Sequence, residues 1–191
     1  MNSILLILLG GFIAIGLMVL RRRYLGFLAQ RPDDYRQTTP ALDLRRHLNG
    51  DIRCDGVIYG PLGRVTSRFE GLFNAKWEGQ TGVMTEHFQY DTGTTQDRAW
   101  TLSLGPEGQV KATAPDVIGT GEGKLAGSSL CLRYSIRLPD AAGGHVLNVV
   151  DWMYLMPNGT IVNRSQFRKY GIKVAELVAT LHRVDRTEET A

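Results

Sequence analysis

The chain has 191 residues, with 22 lysines and arginines against 19 aspartates and glutamates and a sequence pI near 9.0. Setting aside the triplet Arg21-Arg22-Arg23 leaves 19 bases against 19 acids, scattered along the chain, which excludes a groove that tracks a nucleic-acid backbone. Cys54 and Cys131 form no CxxC or zinc spacing, and His47, His87, His145 and His182 are too dispersed for a compact metal site, so neither a metal nor a cofactor is expected.

Residues 4–20 are seventeen apolar residues in succession. As a helix they cover about 26 Å, close to the roughly 30 Å hydrocarbon core of a bilayer. Met1-Asn2-Ser3 carries no base, and the positive block follows the run, the reverse of a cleaved signal peptide. The pattern predicts an uncleaved single-pass anchor over 1–23. Arg21, Arg22 and Arg23 then set the topology, with the rest of the chain on the cytoplasmic face of a bacterial inner membrane and the periplasmic face as the alternative. Gly10, Gly11 and Gly16 would let this helix approach a membrane-protein partner closely.

Residues 24–49 read as a juxtamembrane tether. Arg31-Pro32-Asp33-Asp34 and Thr38-Thr39-Pro40 are irregular, and a short helical turn is expected over 41–49. From residue 50 turn signals recur, among them Gly60-Pro61-Leu62-Gly63, Asp91-Thr92-Gly93 and Pro157-Asn158-Gly159. Between them lie runs of period-two alternation, clearest where Leu130, Leu132, Tyr134, Ile136 and Leu138 share one face. About nine strands are predicted, near 52–59, 64–74, 81–90, 96–104, 109–114, 119–126, 129–138, 145–156 and 160–170. Segment 172–184 fits a tenth strand or a helix, and 185–191 reads as a disordered tail. The fold class is mainly β: one antiparallel barrel over 50–184, after one N-terminal transmembrane helix.

Gly121-Glu122-Gly123-Lys124-Leu125-Ala126 matches a GxGxxA dinucleotide fingerprint. That chemistry needs a helix directly after the glycines, and here another strand follows. One constellation carries more weight. Glu86 shares its face with Met84 and Phe88, Arg98 with Trp100 and Leu102, Asp151 with Val149 and Met153, and Asn163 with Ile161 and Phe167. Charges on apolar faces must find partners, because an unpaired buried charge costs several kcal/mol. One reading is an internal ion-pair network. The other is the polar end of an apolar cavity, with Glu86, Arg98, Asp151 and Asn163 as ligand-binding groups and Trp100 and Trp152 as wall or rim. No nucleophile accompanies the acids, so catalytic residues are not assigned.

The run Asp151-Trp-Met-Tyr-Leu-Met-Pro-Asn-Gly-Thr-Ile-Val-Asn163-Arg-Ser-Gln-Phe-Arg-Lys169-Tyr-Gly171 is distinctive. With Asp97-Arg98-Ala-Trp100, Asp116-Val-Ile-Gly and Gly60-Pro-Leu-Gly63-Arg-Val-Thr-Ser-Arg-Phe69, it resembles the proteobacterial family catalogued as domain of unknown function three-eight-three-three. The resemblance implies a calycin-like or lipocalin-like barrel and brings no activity, cofactor or catalytic residue. Many relatives look like lipoproteins, whereas this chain has no lipobox cysteine. The resemblance also implies, by association alone, a connection with lipid-modifying enzymes. The resulting expectation is a non-enzymatic, membrane-anchored barrel that binds a fatty-acyl or other lipid ligand. An accessory subunit of an inner-membrane complex, joined through residues 4–20, is the alternative, and a lipid-modifying enzyme is third.

Overall fold

In a computed structural model, residues 2–184 are described. The tail expected over 185–191 lies outside the described residues. Helix α1 (Ser3–Tyr24) contains the apolar run and is long and apolar enough, by length and composition, to cross a membrane; none of that stretch is buried in the protein. Ten antiparallel strands follow: β1 (Gly50–Tyr59), β2 (Val65–Glu78), β3 (Thr81–Tyr90), β4 (Thr95–Leu104), β5 (Gln109–Thr113), β6 (Gly121–Ala126), β7 (Ser129–Arg137), β8 (Val146–Leu155), β9 (Ile161–Lys169) and β10 (Ile172–Arg183). Each pairs with its sequence neighbours, and β10 pairs with β1 from Ile52–Arg183 to Tyr59–Glu176, so the barrel is closed.

The ambiguous segment 172–184 is therefore strand. Its helical periodicity yields to tertiary context: pairing with β9 and β1 removes two sheet edges and turns Leu177, Ala179 and Leu181 inward. Strand β2 runs past its expected end at 74 because Ala75 and Trp77 continue the inward alternation. The GxGxxA glycines lie on β6 and lead into β7. At Gly123 a Cβ would come 2.9 Å from the Cys131 carbonyl oxygen and 3.0 Å from Leu132 Cδ1, so packing explains this glycine.

Residues 24–49 are irregular, as their composition predicts, but they are seated on the barrel rather than free of it. Their apolar side chains pack in two places. Leu42, Leu44 and Leu48, the last two flanking and within the turn α2 (Leu44–His47), join the interior core and plug one end. There the Trp77 indole N–H donates to the Leu48 carbonyl at 2.7 Å. Farther upstream, a 3₁₀ turn at Phe27–Ala29 and another at Pro32–Tyr35 lie across the outer wall of β7–β9. Phe27, Tyr35 and Leu28 pack there on Cys131, Val150, Trp152 and Tyr154. The Gln30 Oε1 accepts from the Tyr35 hydroxyl at 2.5 Å and from the Tyr154 hydroxyl at 2.6 Å. This strap is fastened at Gly127, whose carbonyl accepts from Leu42 N–H at 2.9 Å.

Candidate functional site

The barrel interior is apolar with a polar belt. Strand β3 and strand β4 place Glu86 directly opposite Arg98, and both side chains point inward. On the far wall β8 and β9 contribute Asp151, Asn163 and Ser165. Strands β3–β4 and β8–β9 stand five places apart in the closed order of ten, so the two polar groups face each other across the barrel. Trp100, from β4, and Tyr134, from β7, meet edge-to-face between them at 5.2 Å. All these side chains line an interior cavity of about 100 Å³. Two larger depressions, about 680 and 660 Å³, lie on the outer wall of β1–β4 and β10, open to solvent and flanked by surface pairs such as Arg68–Asp91 and His87–Asp97. They do not desolvate a ligand.

An ion pair across the β3–β4 hairpin is present but loose. Arg98 Nη1 stands 3.8 Å from Glu86 Oε2, whereas its Nη2 binds Asp116 at 2.9 Å. Asp116 lies in the loop between β5 and β6 and is the nearer counter-ion. The Arg98 guanidinium also sits 4.8 Å from the centre of the Trp100 ring. Glu86 is 7 % exposed, and its Oε2 has no hydrogen-bond partner among the described residues. Burial raises the Glu86 carboxyl to about 7, against partial relief from Arg98 and from the Trp100 hydrogen bond.

Across the cavity Asp151 accepts hydrogen bonds from the Asn163 amide and, at 2.9 Å, from the Ser165 hydroxyl. The same amide donates to the Trp152 carbonyl at 3.1 Å. Burial raises the Asp151 carboxyl above the usual aspartate range, with those donors and Arg98 acting in the opposite direction. Burial likewise holds the Tyr134 phenol well above its ordinary value, so it remains a neutral donor.

The structure therefore gathers Glu86, Arg98, Trp100, Asp151 and Asn163 around one cavity. It does not bring Trp152 there. Because strand side chains alternate, the residue after inward Asp151 points outward, and Trp152 is wholly buried beneath the strap. Its position as a cavity wall is corrected accordingly. Asp116, Tyr134 and Ser165 are added. Ser165 and Tyr134 were readable from faces already drawn, two residues from Asn163 and among the inward residues of β7. Asp116 sits in a loop without periodicity, and only the fold brings it to Arg98. Cys54 lines the interior and Cys131 lies under the strap; both thiols are free and are pushed up by burial. Among the described residues no group of three or more metal-ligating side chains is found.

The S-type phycobiliprotein lyase CPES from Guillardia theta has a similar structure, with a TM-score of 0.57 at 8 % identity, covering 82 % of this chain and 98 % of that one. Rv2717c from M. tuberculosis superposes with a TM-score of 0.53 at 17 % identity, covering 78 % of this chain and all of that one. These likenesses establish a calycin-like, lipocalin-like barrel. No curated protein matches the chain. Residues 23–183 match the family described as protein of unknown function (DUF3833), a span that includes the strap as well as all ten strands, and the chain belongs to that family.

Proposed function

We propose that this protein is a non-enzymatic ligand-binding barrel held at a bacterial inner membrane by α1, with the barrel on the cytoplasmic side. The observation that carries the reading is the Glu86 carboxyl, deeply buried on an interior cavity, with one oxygen that makes no hydrogen bond among the described residues and has only the looser Arg98 contact at 3.8 Å. Buried polar groups are nearly always hydrogen-bonded, so an unsatisfied carboxylate oxygen points to a missing donor. The charge balance defines the donor further. Arg98 is already neutralised by Asp116, and two further carboxyl groups face the same space. A free carboxylate or phosphate entering this belt meets two carboxyl groups and a single guanidinium that Asp116 already neutralises, with only its Nε lacking a hydrogen bond among the described residues. The ligand is therefore an apolar, lipid-like molecule whose polar end presents a hydroxyl, amide or amine.

The cavity fixes the scale of what sits there. About 100 Å³ holds a polar head of a few heavy atoms and falls below the roughly 300 Å³ at which drug-sized sites begin. An apolar tail then lies toward the end opposite the Leu48 plug, past Asp116 and its loop. The small interior is also the observation that favours the second reading, a side-chain-filled barrel serving as accessory subunit.

Native mass spectrometry of the full chain, purified in mild detergent, separates the two. A co-purified neutral or amine-bearing lipid, lost in Glu86→Leu, is the expected result. An empty barrel accompanied by a stoichiometric membrane protein, released when residues 4–20 are replaced, overturns the binding reading in favour of the subunit.

A further inference from the structure

Two hairpins project from the end of the barrel opposite the Leu48 plug, on the adjacent strands β1 and β10. One is the β1–β2 connection, Gly60-Pro61-Leu62-Gly63-Arg64, and the other is the β9–β10 turn at Tyr170-Gly171. Their tips combine two properties that surface loops rarely share. Leu62 is 92 % exposed, Tyr170 91 % and Ile172 70 %, with Val65 exposed beside them. Residues 60–65 and 168–173 also contain Arg64, Arg168, Lys169 and Lys173 and no acid. Glu176 on β10 binds Lys173 and Arg164, and Asp91 binds Arg68, while Asp116 and Asp140 lie in other loops at the same end of the barrel.

Tyr170 is held out deliberately. Its φ is +51° and that of Gly171 is +79°, the left-handed pair of a type I′ turn, in which asparagine is the usual first residue. A bulky residue there costs about 1 kcal/mol or more. The Arg168 guanidinium fixes the turn by donating to the Gly171 carbonyl at 2.9 Å, and the Lys169 ammonium stands 5.7 Å from the Tyr170 ring. Among the described residues no burial offsets the strain of displaying this ring.

We propose that the β1–β2 and β9–β10 hairpins dock on a bilayer surface rich in anionic lipid. Leu62, Tyr170 and Ile172 enter the headgroup boundary, and Arg64 and Lys169 meet lipid phosphates. Aromatic and basic side chains together are what such an interface selects. The distance suits a barrel tethered to the same membrane. Phe27, where the chain leaves α1, lies against Arg164 on β9, and Arg164 to Tyr170 along that strand spans about 20 Å. With both contacts made, the barrel rests on its β9–β10–β1 flank. This part rests on reading α1 as an anchor.

Full-length Tyr170→Trp, reconstituted in excess vesicles of brominated phosphatidylcholine with or without phosphatidylglycerol, tests the proposal. The native Trp77, Trp100 and Trp152 are at least partly buried, and the parent chain supplies their background. Strong quenching of the new indole is expected with anionic lipid and much weaker quenching without it. Arg64→Gln with Lys169→Gln should lower the docked-to-undocked ratio by roughly thirtyfold, at about fivefold per base. Quenching no greater in anionic vesicles than in detergent overturns the proposal. Resistance to alkaline carbonate extraction reports α1 insertion separately, so failure of the anchor and failure of the hairpins are distinguishable.

Discussion

Glu86→Gln removes a charge that the barrel interior disfavours, and the consequence for stability has a definite pH dependence. Burial raises this carboxyl to about 7 in the folded state, against 4.5 for an ordinary glutamate. The folded state therefore holds the proton more tightly than the unfolded state. Its contribution is fully present below pH 4.5 and is lost as pH rises through 7. Working from those two values, ionisation costs the folded wild type about 3 kcal/mol at pH 8 and about 1 kcal/mol at pH 5. Glutamine keeps the shape and cannot ionise. Its amide also leaves Arg98 paired with Asp116. The variant should thus be more stable than wild type by about 3 kcal/mol at pH 8, a melting-temperature rise of roughly 6–12 °C for a domain of this size. The gain should shrink to about 1 kcal/mol at pH 5. Thermal or urea denaturation of the detergent-solubilised chain, followed by tryptophan fluorescence across pH 5–8, measures both. A variant less stable than wild type at pH 8, or a difference flat in pH, would refute the reasoning and make the Glu86–Arg98 contact a net stabilising ion pair.

Asp116→Asn releases Arg98 from its closer counter-ion, so the interior should begin to accept fatty carboxylates; stabilisation by added octanoate in the variant and none in wild type is the measurement. Gly127→Ala builds a Cβ 1.9 Å from the Tyr35 carbonyl oxygen at a φ of +51°, so the strap must lift. Its signature should be faster hydrogen exchange over residues 27–42 and a red shift of Trp152 emission, and unchanged exchange there would refute it. Trp152→Ala should destabilise the barrel by about 3–5 kcal/mol, because a wholly buried ring is lost. Gly56→Ala should destabilise it by about 1–3 kcal/mol in urea denaturation, since the new methyl would stand 2.4 Å from Phe69 Cζ and 2.8 Å from Ala179 Cβ.

Period-two alternation made the barrel legible. It groups Leu130 to Ile136, and Asp151 with Val149 and Met153, on single faces, and it marks Glu86 and Arg98 as charges on apolar faces; the β3–β4 register sets those two opposite each other. The same arithmetic, applied one residue further, would have put Trp152 outside. What it cannot convey is the value of a surface that another segment covers. Trp152 reads as a wall or rim residue because its cover, Phe27 to Tyr35, has the composition of a linker and no periodicity of its own. Asp116 escaped for a related reason. A loop aspartate carries no facial signal, and its role depends on a contact with Arg98 made eighteen residues away in sequence. The strand at 172–183 was undecidable locally because its apolar positions satisfy both periods, and closure against β1 decides it.

Strand β8 carries the strap on its outer surface and Asp151 on its inner one, in consecutive residues. The Asn163 amide joins the two sides, bonding to the Asp151 carboxyl within and to the Trp152 carbonyl in the wall. The strap that follows α1 meets this strand through Phe27, Gln30 and Tyr35, and it meets β7 and β9 as well, through Cys131 and Arg164. One peptide segment of the wall therefore holds the strap on its outer face and the polar belt of the cavity on its inner one, so a substitution at Asp151 or Trp152 is felt on both sides of the barrel wall.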